Sequence, residues 1–272
     1  MAGQRRTRGE AEPDGGPGDP NFMTSLARGL AVIRAFTERS PALTIAEVAK
    51  ATGLPRAAAR RCLLTLEQLG YAGTDGRAFF LTPKILALGY SFLLSAPLAT
   101  ILDPLIEQVS GAIQESSSAA VLDEDEVVYI ARAATKRIMS VGLTVGSRLP
   151  AYCTSMGRVL LAHLPDAERD AYFGRVALRP FTTRTLTDPG LLRRELDRVR
   201  ERGYALVDQE LELGLRSIAV PVRTASGAVV AAINASAQAA RVGCPEMEAR
   251  FLPPLQRAAA EARVLLLRRH GG

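Results

Sequence analysis

The amino-acid sequence predicts an α+β chain of two domains: an N-terminal winged helix-turn-helix, then a helical linker, then a C-terminal α/β domain. Three observations predict it. Residues 23–81 carry apolar side chains at helical spacing, broken by one tight turn and closed by an Asp-Gly hairpin. Residues 85–102 run without a charge. From Ser118 onward, strand-length apolar segments alternate with helical ones, the pattern of a sheet covered by helices.

Helix one is expected from Ser25 to about Thr37, with Leu26, Leu30 and Ile33 at helical spacing. Helix two begins at Thr44, where Thr44-x-x-Glu47 is a capping box. Thr52-Gly53-Leu54 forms the turn, and Pro55 opens helix three, where its missing N–H leaves no donor unpaired. Ala59, Cys62, Leu63, Leu66 and Leu69 form the inward stripe of helix three, with Arg56, Arg60 and Arg61 outside it. Small Ala49, Gly53 and Ala59 stand where two helices approach closely across a short turn. Residues 71–81 spell a hairpin around Asp75-Gly76, which makes the unit a winged helix. Beyond it the sequence predicts helices over 83–94 and 97–114, then strands over 119–122, 126–133 and 137–143. Further helices follow over 154–163 and 190–202, strands over 217–222 and 228–234, and a terminal helix over 245–268.

Composition narrows the function classes. Two histidines and three cysteines, with no Cys-x-x-Cys pair, leave no zinc site and little material for a triad. No metal and no cofactor is expected. Isolated Cys62, Cys153 and Cys244 suit a reducing compartment, so a cytoplasmic location is expected. Residues 1–21 are rich in Gly and Pro and lack an apolar core, which predicts a disordered tail rather than a signal peptide. The uncharged run 85–102 has 18 residues, near the lower limit of about 17 for a membrane-spanning helix. Pro97 and four Gly, Ser or Thr residues dilute it, so a packed linker helix is expected and no membrane.

The excess of charge has a location. The chain carries 34 Lys and Arg against 28 Asp and Glu, a net +6. Residues 21–83 hold eight basic and four acidic residues, so most of the surplus lies in under a quarter of the length. On a helix-turn-helix this places Arg56, Arg60 and Arg61 against phosphates and guanine edges of a major groove, with Arg77 on the wing. Double-stranded DNA is the expected partner.

The runs SLARGLAVIRAF and LTIAEVAKATGLPRAAARRCLLTLEQLGYA resemble the N-terminal domain of IclR-type bacterial transcriptional regulators. VGSRLPAYCTSMGRVLLA (145–162) and VDQELELGLRSIAVPVRTASGAVVAAINAS (207–236) are similar to the effector-binding domain of that family. Within it, the resemblance is greatest to the subgroup governing protocatechuate, 4-hydroxybenzoate and β-ketoadipate catabolism. It implies a DNA-binding domain over 22–82, a linker helix over 83–97 that pairs in a homodimer, and a GAF-like effector-binding domain over 98–270. A tetramer, as a dimer of dimers, is the further assembly it implies. The family's pocket positions fall at Ile138, Val141, Leu149, Ser155, Met156, Leu215, Ser217, Asn234 and Ser236. Val207 and Asn234 replace an acid and a serine found in some members, which weighs against the smallest keto acids.

The implied effector is a small aromatic or keto acid, and its carboxylate needs charge-assisted partners in such a pocket. Arg137 and Arg148 precede pocket positions and are the expected cations, with N–H groups of a helix start at Thr154 to Met156 assisting. Two rival readings stand beside a regulator: an enzyme acting on a small acid, and an architectural DNA-binding protein whose second domain only oligomerises. Cys153 reads as a buried small hydrophobe rather than a lowered-pKa thiol, and Asp208 to Glu212 as a charged surface loop rather than a metal site.

Overall fold

A computed structural model of the chain describes residues 19, 21–37, 40–88, 97–135 and 143–269. It separates into two compact units, residues 1–92 and 93–272. The expected tail (Asp19 and Asn21 apart), the linker from residue 89 to 96 and the expected strand from 137 to 142 lie outside the described residues. With that strand go Arg137, Ile138 and Val141.

The first unit contains α1 (Thr24–Arg34), β1 (Ala42–Leu43), α2 (Ile45–Thr52), α3 (Arg56–Gln68), β2 (Ala72–Thr74) and β3 (Phe79–Leu81). Thr44 caps α2: its hydroxyl accepts from the Glu47 N–H, and the Glu47 carboxylate accepts from the Thr44 N–H at 2.8 Å. Those hydrogen bonds hold the Glu47 carboxyl below its usual range. Gly53 ends α2 in the left-handed region at φ 69°, where a Cβ would be strained. Val32, Val48, Ala59 and Leu63 are fully buried and join the three helices. Leu69 departs from expectation: it lies past the end of α3 and is 53% exposed. The strand β1, short enough to escape notice in the sequence, pairs with β3 and completes a three-stranded wing sheet in the order β1-β3-β2.

The second unit runs α4 (Pro97–Ile113), β4 (Ser116–Asp123), β5 (Glu126–Ala133), β6 (Arg148–Pro150), α5 (Ser155–Ala162), α6 (Asp166–Arg175), α7 (Pro189–Arg202), β7 (Ala205–Asp208), β8 (Leu215–Arg223), β9 (Val229–Gln238) and α8 (Leu252–Arg269). The strands form one antiparallel sheet in the order β6-β5-β4-β9-β8-β7. Alternation along each strand sends one set of side chains to each face. Ala119, Ile130, Ile218, Ile233 and Ala235 pack under α4 and α8. Ala120, Val127, Ala219 and Ala232 pack against α5 and α7 on the other face.

A β-bulge interrupts that alternation. Ala119 pairs with Ala131 but Ala120 pairs with Tyr129, so β5 carries one residue more than β4 at this point. Ile130 and Ala131 therefore both belong to the α4–α8 side. Tyr129 and Arg132, three residues apart, come to share the opposite face. Among the described residues no helix is long and apolar enough to cross a membrane.

Candidate functional site

The first unit presents four arginines in the pattern of a nucleic-acid reader. Arg56, Arg60 and Arg61 are exposed along α3, whose buried side is Ala58, Ala59, Leu63 and Leu66. Arg77 is exposed at the wing tip, where the Asp75 carboxylate accepts from the N–H groups of Arg77 (2.8 Å) and Ala78 (2.7 Å). Gly76 beside it sits at φ 90°. Among the described residues no ion pair engages these four guanidinium groups. They are free to meet phosphate.

In the second unit, the sheet face beneath α5 carries a polar ledge. Arg132, Ser118 and Asn234 stand in register on β5, β4 and β9. Two residues along, Ser116, Ser236, Ser217 and Val207 stand in register on β4, β9, β8 and β7. The start of α5 lies over this ledge and encloses a cavity with about 590 Å³ of empty space, mouth included. Leu143, Leu149, Cys153, Thr154, Ser155 and Met156 line one side, and Glu210, Leu211, Glu212 and Leu215 the other. Leu149, Thr154, Ser155, Met156, Leu215, Ser217, Asn234 and Ser236 were all expected around one pocket, and the fold brings them to this cavity.

Each wall has a local cause. Gly157 lets α5 lie against the preceding turn: a Cβ there would fall 2.1 Å from the Ala151 carbonyl oxygen. Thr154 caps α5 by accepting from the Gly157 N–H at 3.2 Å. Arg158, only 3% exposed, donates to the Tyr152 carbonyl (2.9 Å) and to the Glu210 carboxylate (2.6 Å). The same Glu210 oxygen accepts from the Leu186 N–H at 2.9 Å. Glu210 is thus a buried structural acid, not part of a charged surface loop. Asp208 is held below the usual carboxylate range, since hydrogen bonds from Gln209 and Arg216 and the charges of Arg216 and Arg184 outweigh its desolvation.

One expected contact is corrected. Arg148 does not line the cavity. Its guanidinium donates to Asp123 and Glu126, each at 2.6 Å, at the outer edge of the sheet. Cys153 is buried, and that burial, with Glu210 nearby, pushes its thiol up to about 12, so no thiolate forms near neutrality. His163 follows the end of α5. Burial lowers its pKa, and its ring bridges the Val159 carbonyl (2.8 Å) and Arg223 (2.7 Å).

Two residues that line the cavity carry unpaired polar atoms. Ser155 Oγ and Asn234 Oδ1 are buried with no hydrogen-bond partner, a state a native interior rarely tolerates without a ligand or water. A wider groove opens at the far end of α5, lined by Leu122, Leu160, His163, Glu168, Arg175 and Val229. None of the unpartnered buried atoms belongs to the residues that line it. Sequence reading missed Tyr129, Arg132, Ser116 and Glu210 at the enclosed cavity. One signal was there to find: Arg132 is the lone charge in the apolar run Val127–Ala133.

Comparison with known proteins agrees with both units. Residues 25–76 match the IclR helix-turn-helix domain, and residues 90–263 match the bacterial transcriptional regulator IclR C-terminal domain. The chain is 54% identical over 239 residues to the Pca regulon regulatory protein of Pseudomonas putida, covering 88% of this chain and 82% of that one. It superposes with a TM-score of 0.77 on an IclR homolog from Microbacterium hydrocarbonoxydans complexed with 4-hydroxybenzoate, at 27% identity over 89% of this chain and 99% of that one. The inducer-binding domain of a PobR double mutant from Acinetobacter, in complex with 3-hydroxybenzoic acid, aligns at 34% identity and a TM-score of 0.57, covering 60% of this chain and 96% of that one. With a helix-turn-helix unit and a polar cavity on one chain, and both units matched over nearly their full extent, the protein belongs to the IclR family of bacterial transcriptional regulators.

Proposed function

We propose that the protein is a ligand-responsive, cytoplasmic DNA-binding regulator of aromatic-acid catabolic genes, acting on the protocatechuate, 4-hydroxybenzoate and β-ketoadipate pathway. The observation that carries this reading is the enclosed cavity with unpartnered Ser155 and Asn234 atoms, on the same chain as a helix-turn-helix. The relatives bound to 4-hydroxybenzoate and 3-hydroxybenzoic acid support a small aromatic or keto acid as effector. Leu149, Thr154, Ser155, Met156, Leu215, Ser217, Asn234 and Ser236 form the effector site, and Arg56, Arg60, Arg61 and Arg77 the DNA surface. The working unit is a homodimer, with a dimer of dimers as its larger assembly, so that two heads read paired half-sites. We assign the protein no turnover, in keeping with the transcriptional regulators it is similar to.

Thermal shift of the purified chain with protocatechuate, 4-hydroxybenzoate, 3-hydroxybenzoate and β-ketoadipate tests the reading, because a ligand bound only by the folded state stabilises it by mass action. A specific rise in melting temperature with at least one acid, and no consumption of that acid, is expected. No shift with any acid points to an architectural role, and turnover points to an enzyme.

A further inference from the structure

The cavity's electrostatics differ from those of the arginine-rich unit around it. Arg158 is held by Glu210, Arg216 by Asp208, and Arg148 by Asp123 and Glu126. Arg132 is the only Lys or Arg among the described residues that line the cavity, and no carboxylate pairs with it among those residues. Among the described residues one side-chain hydrogen bond engages its five N–H donors, to the Ser118 hydroxyl at 3.1 Å. Beside it Tyr129 is buried, which pushes its phenol up to about 12 and keeps it protonated. The bulge in β5 is what turns Arg132 to this face.

An independent observation concerns the acceptors. Asn234 Nδ2 donates to the Ser236 hydroxyl at 3.3 Å, which leaves Oδ1 as the unpaired atom. An amide oxygen only accepts, so it is satisfied by a ligand that brings a donor. Ser155 Oγ, 1% exposed at residue level and also without a partner, supplies a second polar atom to the same enclosure.

We propose that Arg132 binds the effector's carboxylate, and that Asn234 Oδ1 and Ser155 Oγ take a hydroxyl of the same molecule. Such an arrangement fits a hydroxy-substituted aromatic monocarboxylate, the class bound by the relatives described above, and the assignment of its carboxylate to Arg132 goes beyond them. This rests on the effector reading above and assigns its specificity. A half-buried guanidinium without a carboxylate partner is completed by an anion. A buried acceptor without a donor penalises an acid lacking the hydroxyl.

Isothermal calorimetry on the full chain separates the two levels. The probes are 4-hydroxybenzoate, 3-hydroxybenzoate, protocatechuate, benzoate, β-ketoadipate and the neutral amide 4-hydroxybenzamide. For the wild type, the strongest ligand is expected among the three hydroxybenzoates, with benzoate and the amide each weaker by about tenfold or more. Arg132→Gln is expected to weaken the preferred acid by roughly 10- to 100-fold while binding the amide as the wild type does. Arg132→Lys, which keeps the charge, recovers part of the loss and stands in should the Gln variant melt at room temperature. Equal acid affinity in Arg132→Gln overturns the proposal, as does equal loss of acid and amide, which marks a merely structural arginine. β-Ketoadipate or benzoate binding more tightly than every hydroxybenzoate overturns the ligand class. A wild type that binds none of the six overturns the effector reading itself, and with it this assignment.

Discussion

Glu210 sits within an acidic stretch, Asp208 to Glu212, yet it is 8% exposed while Glu212 is exposed. Nothing in the local run distinguishes the two, because the partner that buries Glu210 is Arg158, 52 residues away. Removing one member of a buried pair leaves the other charge uncompensated, at a cost of about 3–5 kcal/mol. Glu210→Ala is therefore expected to lower stability by that order in urea unfolding followed on the full chain, whereas Glu212→Ala is expected to change it by less than about 0.5 kcal/mol. Equal effects would place Glu210 on the surface after all. The arginines of α3 were more legible, since helical spacing alone sets them on the side away from Ala59 and Leu63. Replacing a guanine-reading Arg among Arg56, Arg60 and Arg61 with Ala is expected to cost roughly 1–3 kcal/mol and to relax specificity. Arg77→Ala is expected to weaken all DNA sequences alike and to flatten the salt dependence. If Arg56, Arg60 and Arg61 can all become Ala with operator binding unchanged, α3 is not the reading helix.

At the scale of elements, helices with strong local signals were readable to within a residue or two. The Thr44 capping box opens α2, Thr154 caps α5 and Pro189 starts α7. The short pairings were not. β1, β6 and β7 have two to four residues each and exist because a neighbouring strand completes them. The bulge in β5 was invisible for a related reason: the strand's bounds follow from its apolar run, but its parity depends on how β4 pairs with it. Strict alternation from Tyr129 would turn Arg132 away from the cavity, whereas Arg137 and Arg148 stand next to pocket positions in the sequence. α5 is the element on which the cavity depends most. Gly157→Ala is expected to push α5 off the Ala151 turn, because the obstructing atoms are backbone and cannot rotate aside. A destabilisation of about 1–3 kcal/mol or more is expected, together with loss of acid binding in calorimetry. A Gly157→Ala protein with wild-type stability and affinity would show that α5 tolerates a shift the cavity was held to forbid.

For the whole molecule, the division into a helix-turn-helix unit and a sheet unit that carries the cavity was legible because each has its own charge and periodicity. Residues 21–83 hold most of the positive surplus, whereas many charges of the second unit are paired, Arg158–Glu210 in its interior. A homodimer is expected in light scattering at micromolar concentration, and a monomer that still binds DNA tightly would contradict that assembly. The central claim is that one chain couples an acid to DNA occupancy, and such coupling is a free energy that each ligand must exert on the other. A mobility shift on the DNA upstream of the protein's own gene, titrated with protein at fixed salt with and without the acid that binds best, tests it most directly. Specific retention is expected, with its midpoint displaced by roughly fivefold or more when the acid is present. Retention that is identical with and without the acid, under conditions where calorimetry shows the acid bound, would contradict the account.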